Sequence, residues 1–234
     1  DILLHLASLK NDDLITNIKP LWITNVIICE ATGNAINELA ERDDIRRIDF
    51  DEYRIILPDQ TENNSETGNP DSREITWNVT LVNADDVWAE GYTGNGVLVA
   101  VIDTGVNYNH QDLADHVWNG GAFYPLHGYD FHNNDNNPMD DHGHGTHCAG
   151  TVAGDGTSGS QTGIAPDAQI MALKVLDSSG GGYESSSWEA IEFAVEQNVD
   201  IMSISLGWMH SWGPDRDSWR NSMNDALFSG LIAS

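Results

Sequence analysis

Four short runs are apolar at nearly every position: Val97–Ile102, Gln169–Val175, Ile201–Leu206 and the run that opens at Leu231. A strand with one wet face alternates apolar and polar residues, so runs apolar on both faces need cover on both sides. Between them the pattern turns helical. Trp188, Ile191 and Val195 share one face of Ser186–Gln197. Trp219, Met223, Ala226 and Leu227 share one face of Asp217–Phe228, which Gly230 terminates. Buried strands alternating with helices predict an α/β fold, a doubly wound parallel sheet, over residues 76–234. Such sheets build their sites at the carboxyl ends of strands. Asp103 follows Ile102 and Gly207 follows Leu206, so both are expected at a cleft.

The chain of 234 residues has room for a second, smaller unit. Ile2–Leu9 and Ala35–Arg42 read as helices, and Ile15–Ile23, Asn25–Ala31 and Ile45–Ile56 as strands, with a turn at Thr24-Asn25. The order helix, strand, strand, helix, strand is a ferredoxin-like βαββαβ unit without its first strand, which gives a small α+β domain over residues 1–57. Residues 58–75 have almost no apolar content through their middle and read as an exposed, cleavable linker. Asp1 is not an initiator methionine, so the chain is expected to have lost a leading segment. Asn63-Asn64-Ser65 and Asn78-Val79-Thr80 match the glycosylation pattern, a motif short enough to arise by chance.

Charge excludes several partners. The chain holds 37 acidic and 10 basic residues, a net charge of -27, and only Lys174, Arg216 and Arg220 are basic after Ile75. Such a surface repels nucleic acid and anionic membranes. A solvated acidic face explains it as well as any acid-specific function. Two distant cysteines, Cys29 and Cys148, cannot organise a disulfide framework. Cys148 lies among small apolar residues and reads as an inert thiol rather than a nucleophile.

The chemistry concentrates in Asp140–Gly154, where histidines head a run of small residues. That pattern reads as a close-packed helix carrying an imidazole into a cleft. With Asp103 at a strand end, it points to an Asp–His pair for proton transfer. His142, His144 and His147 are close enough to raise a zinc site, but the His-Glu-x-x-His arrangement is missing. His147 and His110 read as structural and surface residues.

Val99-Ala100-Val101-Ile102-Asp103-Thr104-Gly105-Val106 resembles the aspartate motif of the subtilisin-like serine peptidases (subtilases). His144-Gly145-Thr146-His147-Cys148-Ala149-Gly150 resembles their histidine motif, and Ile204-Ser205-Leu206-Gly207 their substrate-binding strand. The resemblance implies a secreted serine endopeptidase precursor with Asp103 and His144 catalytic. Gly180, Gly181 and Gly182 on one side and Ser205, Leu206 and Gly207 on the other would pair with a peptide or protein substrate. It also implies Ca²⁺ as cofactor. Asp130, Asn133, Asp135, Asn137 and Asp140 form a loop of hard oxygen donors, and Asp112 matches a second family ligand. The first domain resembles the family propeptide, an intramolecular inhibitor released by a cut within residues 57–75. The Gly-Thr-Ser-like serine motif and the oxyanion asparagine are absent from this sequence. The chain is therefore expected to be a piece of a longer protein, paired with its missing C-terminal part. The alternatives are a non-catalytic pseudoprotease or inhibitor module that only binds, and a calcium-stabilised structural module.

Overall fold

A computed structural model describes residues 1–57 and 74–234. The linker expected over residues 58–75 thus lies almost wholly outside the described residues, as does Asn63.

The first residues form α1 (Ile2–Asn11), β1 (Ile15–Leu21), β2 (Val26–Ala31), α2 (Gly33–Ala40) and β3 (Arg54–Ile55). Asp1 caps α1 by accepting a hydrogen bond from Leu3 N, and Thr32 caps α2 by accepting one from Ala35 N. β1 and β2 form an antiparallel hairpin, and both helices bury Leu6, Leu9, Ala35 and Leu39 against Ile15. The strand expected over Ile45–Ile56 does not join this sheet. Only Arg54–Ile55 is extended in a ladder, and it pairs elsewhere. The reason is visible in Asp43–Glu52, where charged residues crowd the apolar positions and Phe50 stays 87% exposed. A strand without a face to bury gains nothing from that sheet.

The rest of the chain forms α3 (Trp77–Leu81), α4 (Ala84–Ala89), β4 (Leu98–Asp103), β5 (Gly128–Asp130), α5 (His144–Ala153), β6 (Gln169–Lys174), β7 (Gly181–Gly182), α6 (Glu184–Glu196), β8 (Ile201–Ser203), a 3-10 turn at His210–Trp212, α7 (Arg216–Phe228) and β9 (Ile232–Ala233). Five strands pair in parallel in the order β5-β6-β4-β8-β9. Alternate residues of the central strand face opposite cores. Val99 and Val101 pack with Ala149 and Ala153 of α5, while Ala100 and Ile102 pack with Ala190, Ile191 and Ala194 of α6. This is the doubly wound arrangement that the apolar runs predicted. β5 and the two short helices α3 and α4 were not legible in the sequence pattern.

The first unit lies against α6 and α7. Lys19 pairs with Glu189, Ile23 N donates to Glu192 Oε2 at 3.0 Å, and Arg46 pairs with Asp217 at 3.2 Å. Ile23 is fully buried in the same core as α6.

Candidate active site

Parallel strands bring their carboxyl ends to one edge of the sheet. β4 ends there in Asp103, which is fully buried, and α5 begins beside it with His144. His144 Nδ1 lies 2.7 Å from Asp103 Oδ1 and 2.9 Å from Oδ2. The helix comes this close because residue 145 is glycine: a Cβ there would stand 2.0 Å from Gly105 O and 3.1 Å from Asp103 Cβ. Asp103 Oδ1 also accepts from Thr104 N at 2.7 Å.

The two elements are tied together by Asp140. Its Oδ1 accepts from Thr104 Oγ1 (2.8 Å), His142 N (3.0 Å) and Gly143 N (2.8 Å). Its Oδ2 accepts from Thr146 N (2.8 Å) and Thr146 Oγ1. Thr104 Oγ1 in turn accepts from Gly145 N at 2.9 Å. Burial raises the Asp140 carboxyl, but the bonds from Thr146, Gly143 and His142 outweigh it and hold the group below its ordinary value. The carboxylate is thus spent on the amino end of α5, where the orphan N–H groups and the helix dipole favour an anion.

Asp140 stands at the end of the oxygen-rich loop and joins it to α5. Asp130, Asp135 and Asp140 do not converge within 4.8 Å of one another. Within the loop, Asp130 is buried and accepts from Asn133 N (2.9 Å) and Nδ2 (2.8 Å). Asp135 Oδ1 accepts from Asn137 N (2.8 Å), and Asn137 Oδ1 accepts from Tyr108 Oη (2.9 Å). Asp112 is also engaged. Its carboxylate accepts from Ser158 N (2.5 Å) and Oγ (2.6 Å).

One residue that the sequence did not single out is Lys174, at the end of β6 opposite Asp103. It is 1% exposed, and its Nζ donates at 2.7 Å to Thr104 O, Leu176 O and Asp141 Oδ1. The signal was available: a lysine closing an apolar run is expected to find partners for all three protons. Cys148 Sγ lies 3.8 Å from His144 Nδ1, and burial pushes its thiol up to about 11, which makes it inert as a nucleophile at neutral pH. His144 and Cys148 open onto a 690 Å³ cleft that Ser203, Ser205 and Ile201 also line.

The glycine edge is paired. β7 runs antiparallel to β3, with Arg54 opposite Gly182 and Ile55 opposite Gly181. Ile56 N and Leu57 N donate to Gly180 O at 2.9 and 3.1 Å. A Cβ on Gly181 would fall 2.1 Å from Tyr53 Oη, so the glycines admit the strand at close range. On the other side, Ser205–Gly207 follows β8 as irregular chain and pairs with no extended segment among the described residues. Asn78 Nδ2 donates to Thr162 O at 2.9 Å, which engages it as a structural residue.

Tyr53 Oη donates to Asp177 Oδ2 at 2.7 Å, beside bonds from Ser179 N, Ser179 Oγ and Gly181 N to Oδ1. Burial raises Asp177, but these donors outweigh it and hold the carboxyl at about 2. A folded-state value below the unfolded one contributes stability above about pH 4, and that stability is lost as pH falls toward 2. The contribution is about 1–2 kcal/mol after allowance for solvent screening. Comparing the full chain with Asp177→Asn by denaturant melts should show a deficit at pH 6 that closes by pH 2. An equal deficit at both would contradict the assignment.

The pattern of the Subtilase family matches residues 94–233. The minor extracellular protease Vpr of Bacillus subtilis (strain 168) is 44% identical over 135 residues, 54% of this chain and 16% of that protein. Subtilisin E of the same organism is 35% identical over 165 residues, 70% of this chain and 39% of that protein. The crystal structure of a cold adapted subtilisin-like serine proteinase superposes with a TM-score of 0.50 at 32% identity, over 61% of this chain and 46% of that one. The chain thus spans less than half the length of each of these relatives.

Proposed function

The chain belongs to the subtilase family, and from that premise we propose that it carries the Asp–His half of a secreted serine endopeptidase precursor. The observation that carries the reading is the buried Asp103 hydrogen-bonded to His144 Nδ1 at the carboxyl edge of a parallel sheet. With the Nδ1 proton held by Asp103, Nε2 is the basic nitrogen. It would take the proton of a serine hydroxyl as Oγ bonds to the scissile carbonyl carbon. It would then return that proton to the amine as the C–N bond breaks. Asp103 stabilises the imidazolium between these steps and fixes the tautomer. The serine and the oxyanion donor would come from chain outside this sequence. The cleft beside His144 and the small share of each relative that the chain covers support this. The extracellular relative supports secretion.

Residues 1–57 act, on this reading, as the propeptide. Their tail Arg54–Leu57 lies along the glycine edge as a peptide bound by β-augmentation would, and Tyr53 locks it to Asp177. Residues 58–75 would hold the cut. The same pairing favours a second reading, a module that holds an extended peptide without cutting it. The deciding experiment is peptide hydrolysis by the complete polypeptide and its His144→Ala variant. Activity that depends on His144 supports the peptidase, and binding without hydrolysis supports the module.

Calcium fits part of its expected site. Asp130, Asn133, Asp135 and Asn137 offer hard oxygens on one short loop, and these four would hold Ca²⁺. Asp140 and Asp112, the other expected ligands, accept hydrogen bonds from the chain as Asp130 and Asp135 do. The ion would supply charge neutralisation around the buried Asp130 and would brace the loop that leads into α5. Because a ligand bound only by the native state stabilises it, EDTA is expected to lower the melting temperature by several degrees. Asp135→Asn should make the protein insensitive to EDTA, and an unchanged melting curve in the parent would remove the ion from this loop.

A further inference from the structure

The strand that lies on β7 also meets a tryptophan, Trp212. The 3-10 turn His210–Trp212 is closed by Gly213 at φ 67°, a left-handed conformation that suits glycine. It presents the Trp212 ring to the strand lying on β7: the Arg54 guanidinium carbon stands 5.6 Å from the ring centroid. Arg54 is the residue opposite Gly182, while its neighbour Ile55 points away and is 59% exposed. The chain therefore shows which way a side chain at this register must go, and what it meets there.

We propose that Trp212 forms a subsite for a cationic side chain, arginine or lysine, at the substrate residue that pairs with Gly182. The inference rests on the reading that substrates lie on the glycine edge as Arg54–Leu57 does. A guanidinium over an indole face is attracted by the ring quadrupole, and tryptophan is the strongest aromatic partner. The surroundings agree on balance. Arg216 is turned to His210 Nδ1 (2.7 Å) and Arg220 to Asp217 (3.2 Å). Glu184 accepts from Trp219 Nε1 at 2.6 Å, and Asp215, the cap of α7, lies 3.5 Å from Arg47. Residues 76–234 carry 21 acidic and 3 basic side chains, so the field around the groove favours a cation over a neutral group. In this chain the Arg54 charge is shared between Trp212 and Glu52. A substrate without a glutamate two residues upstream would leave the cation wholly to the ring.

The test uses the complete polypeptide and a set of peptides that differ only at the residue aligned with Arg54: arginine, lysine, citrulline and leucine. Citrulline keeps the shape of arginine and removes its charge. Arginine and lysine peptides should exceed citrulline in kcat/KM by about 5- to 10-fold, and Trp212→Ala should erase that ratio. Equal rates for arginine and citrulline, or a ratio that survives Trp212→Ala, would overturn the subsite. A second measurement does not depend on catalysis. Hydrogen exchange at Ile56 and Leu57 in the full chain reports opening of the bound strand. Arg54→Gln, Trp212→Ala and the double variant should be non-additive in it, and additivity would equally overturn the proposal. Coupling here with no cleavage of any peptide would leave the subsite standing and remove the peptidase reading.

Discussion

Replacing His144 with alanine in the complete polypeptide is expected to lower kcat for peptide hydrolysis by about 10⁶-fold, with little change in KM. The reference case is subtilisin itself, a member of the same family, where loss of the histidine costs about 2 × 10⁶ in kcat. The physical reason is that, on the proposed reading, Nε2 receives the proton of the nucleophile, since Nδ1 faces Asp103. Asp103 cannot substitute, because it is fully buried behind the ring and its oxygens are occupied by His144 and Thr104 N. Asp103→Asn should cost less, about 10⁴-fold, because the ring stays in place while the wrong tautomer is favoured. Initial rates on one fluorogenic peptide suffice. A His144→Ala protein within tenfold of the parent would remove His144 from the chemistry.

The second large effect concerns stability. Lys174→Met is expected to destabilise the full chain by about 3 kcal/mol, read as a lower urea midpoint with an unchanged slope. Methionine fills the space, but Thr104 O and Leu176 O lose the donor that satisfied them, at about 1–3 kcal/mol each. Relief of the buried ammonium's desolvation offsets part of that loss. Asp141 is half exposed and rehydrates, so it adds little. Because Thr104 also bonds Asp140 and Gly145 N, the damage should reach the site. A change below 1 kcal/mol would show that the two carbonyls find other partners.

The apolar runs made the sheet legible. Val97–Ile102 and Gln169–Val175 appear as β4 and β6 within one residue at each end, since a strand buried on both faces has little other use for such a sequence. Ile201–Leu206 was read too long. The strand ends at Ser203, and Ile204 N still bonds Ser234 O beside β9. Ile45–Ile56 failed for the opposite reason: its apolar residues are real, but the charges among them give no continuous face. The Asp–His pair was legible because glycine, alanine and histidine at those spacings suit only a helix packed hard against another backbone. The bonds of Asp140 to α5 were not legible, because an aspartate among asparagines looks the same whether it faces a cation or the amino end of the next helix.

What the sequence determined by itself is therefore periodic or local: the strands, the helices between them, the close-packed glycine at 145, and the acidic field of the larger part of the chain. Tertiary structure alone decided the assignments that depend on which groups meet. It set Lys174 against three oxygens, turned Asp140 to α5, laid Arg54–Ile55 on Gly181–Gly182 rather than on its own hairpin, and put Trp212 under Arg54. A hydrogen bond or a cation over a ring is won by the partner that arrives at the right distance. Lys174 and Thr104, 70 positions apart, and Arg54 and Trp212, 158 positions apart, are brought to that distance only by the packing of the whole sheet and its helices.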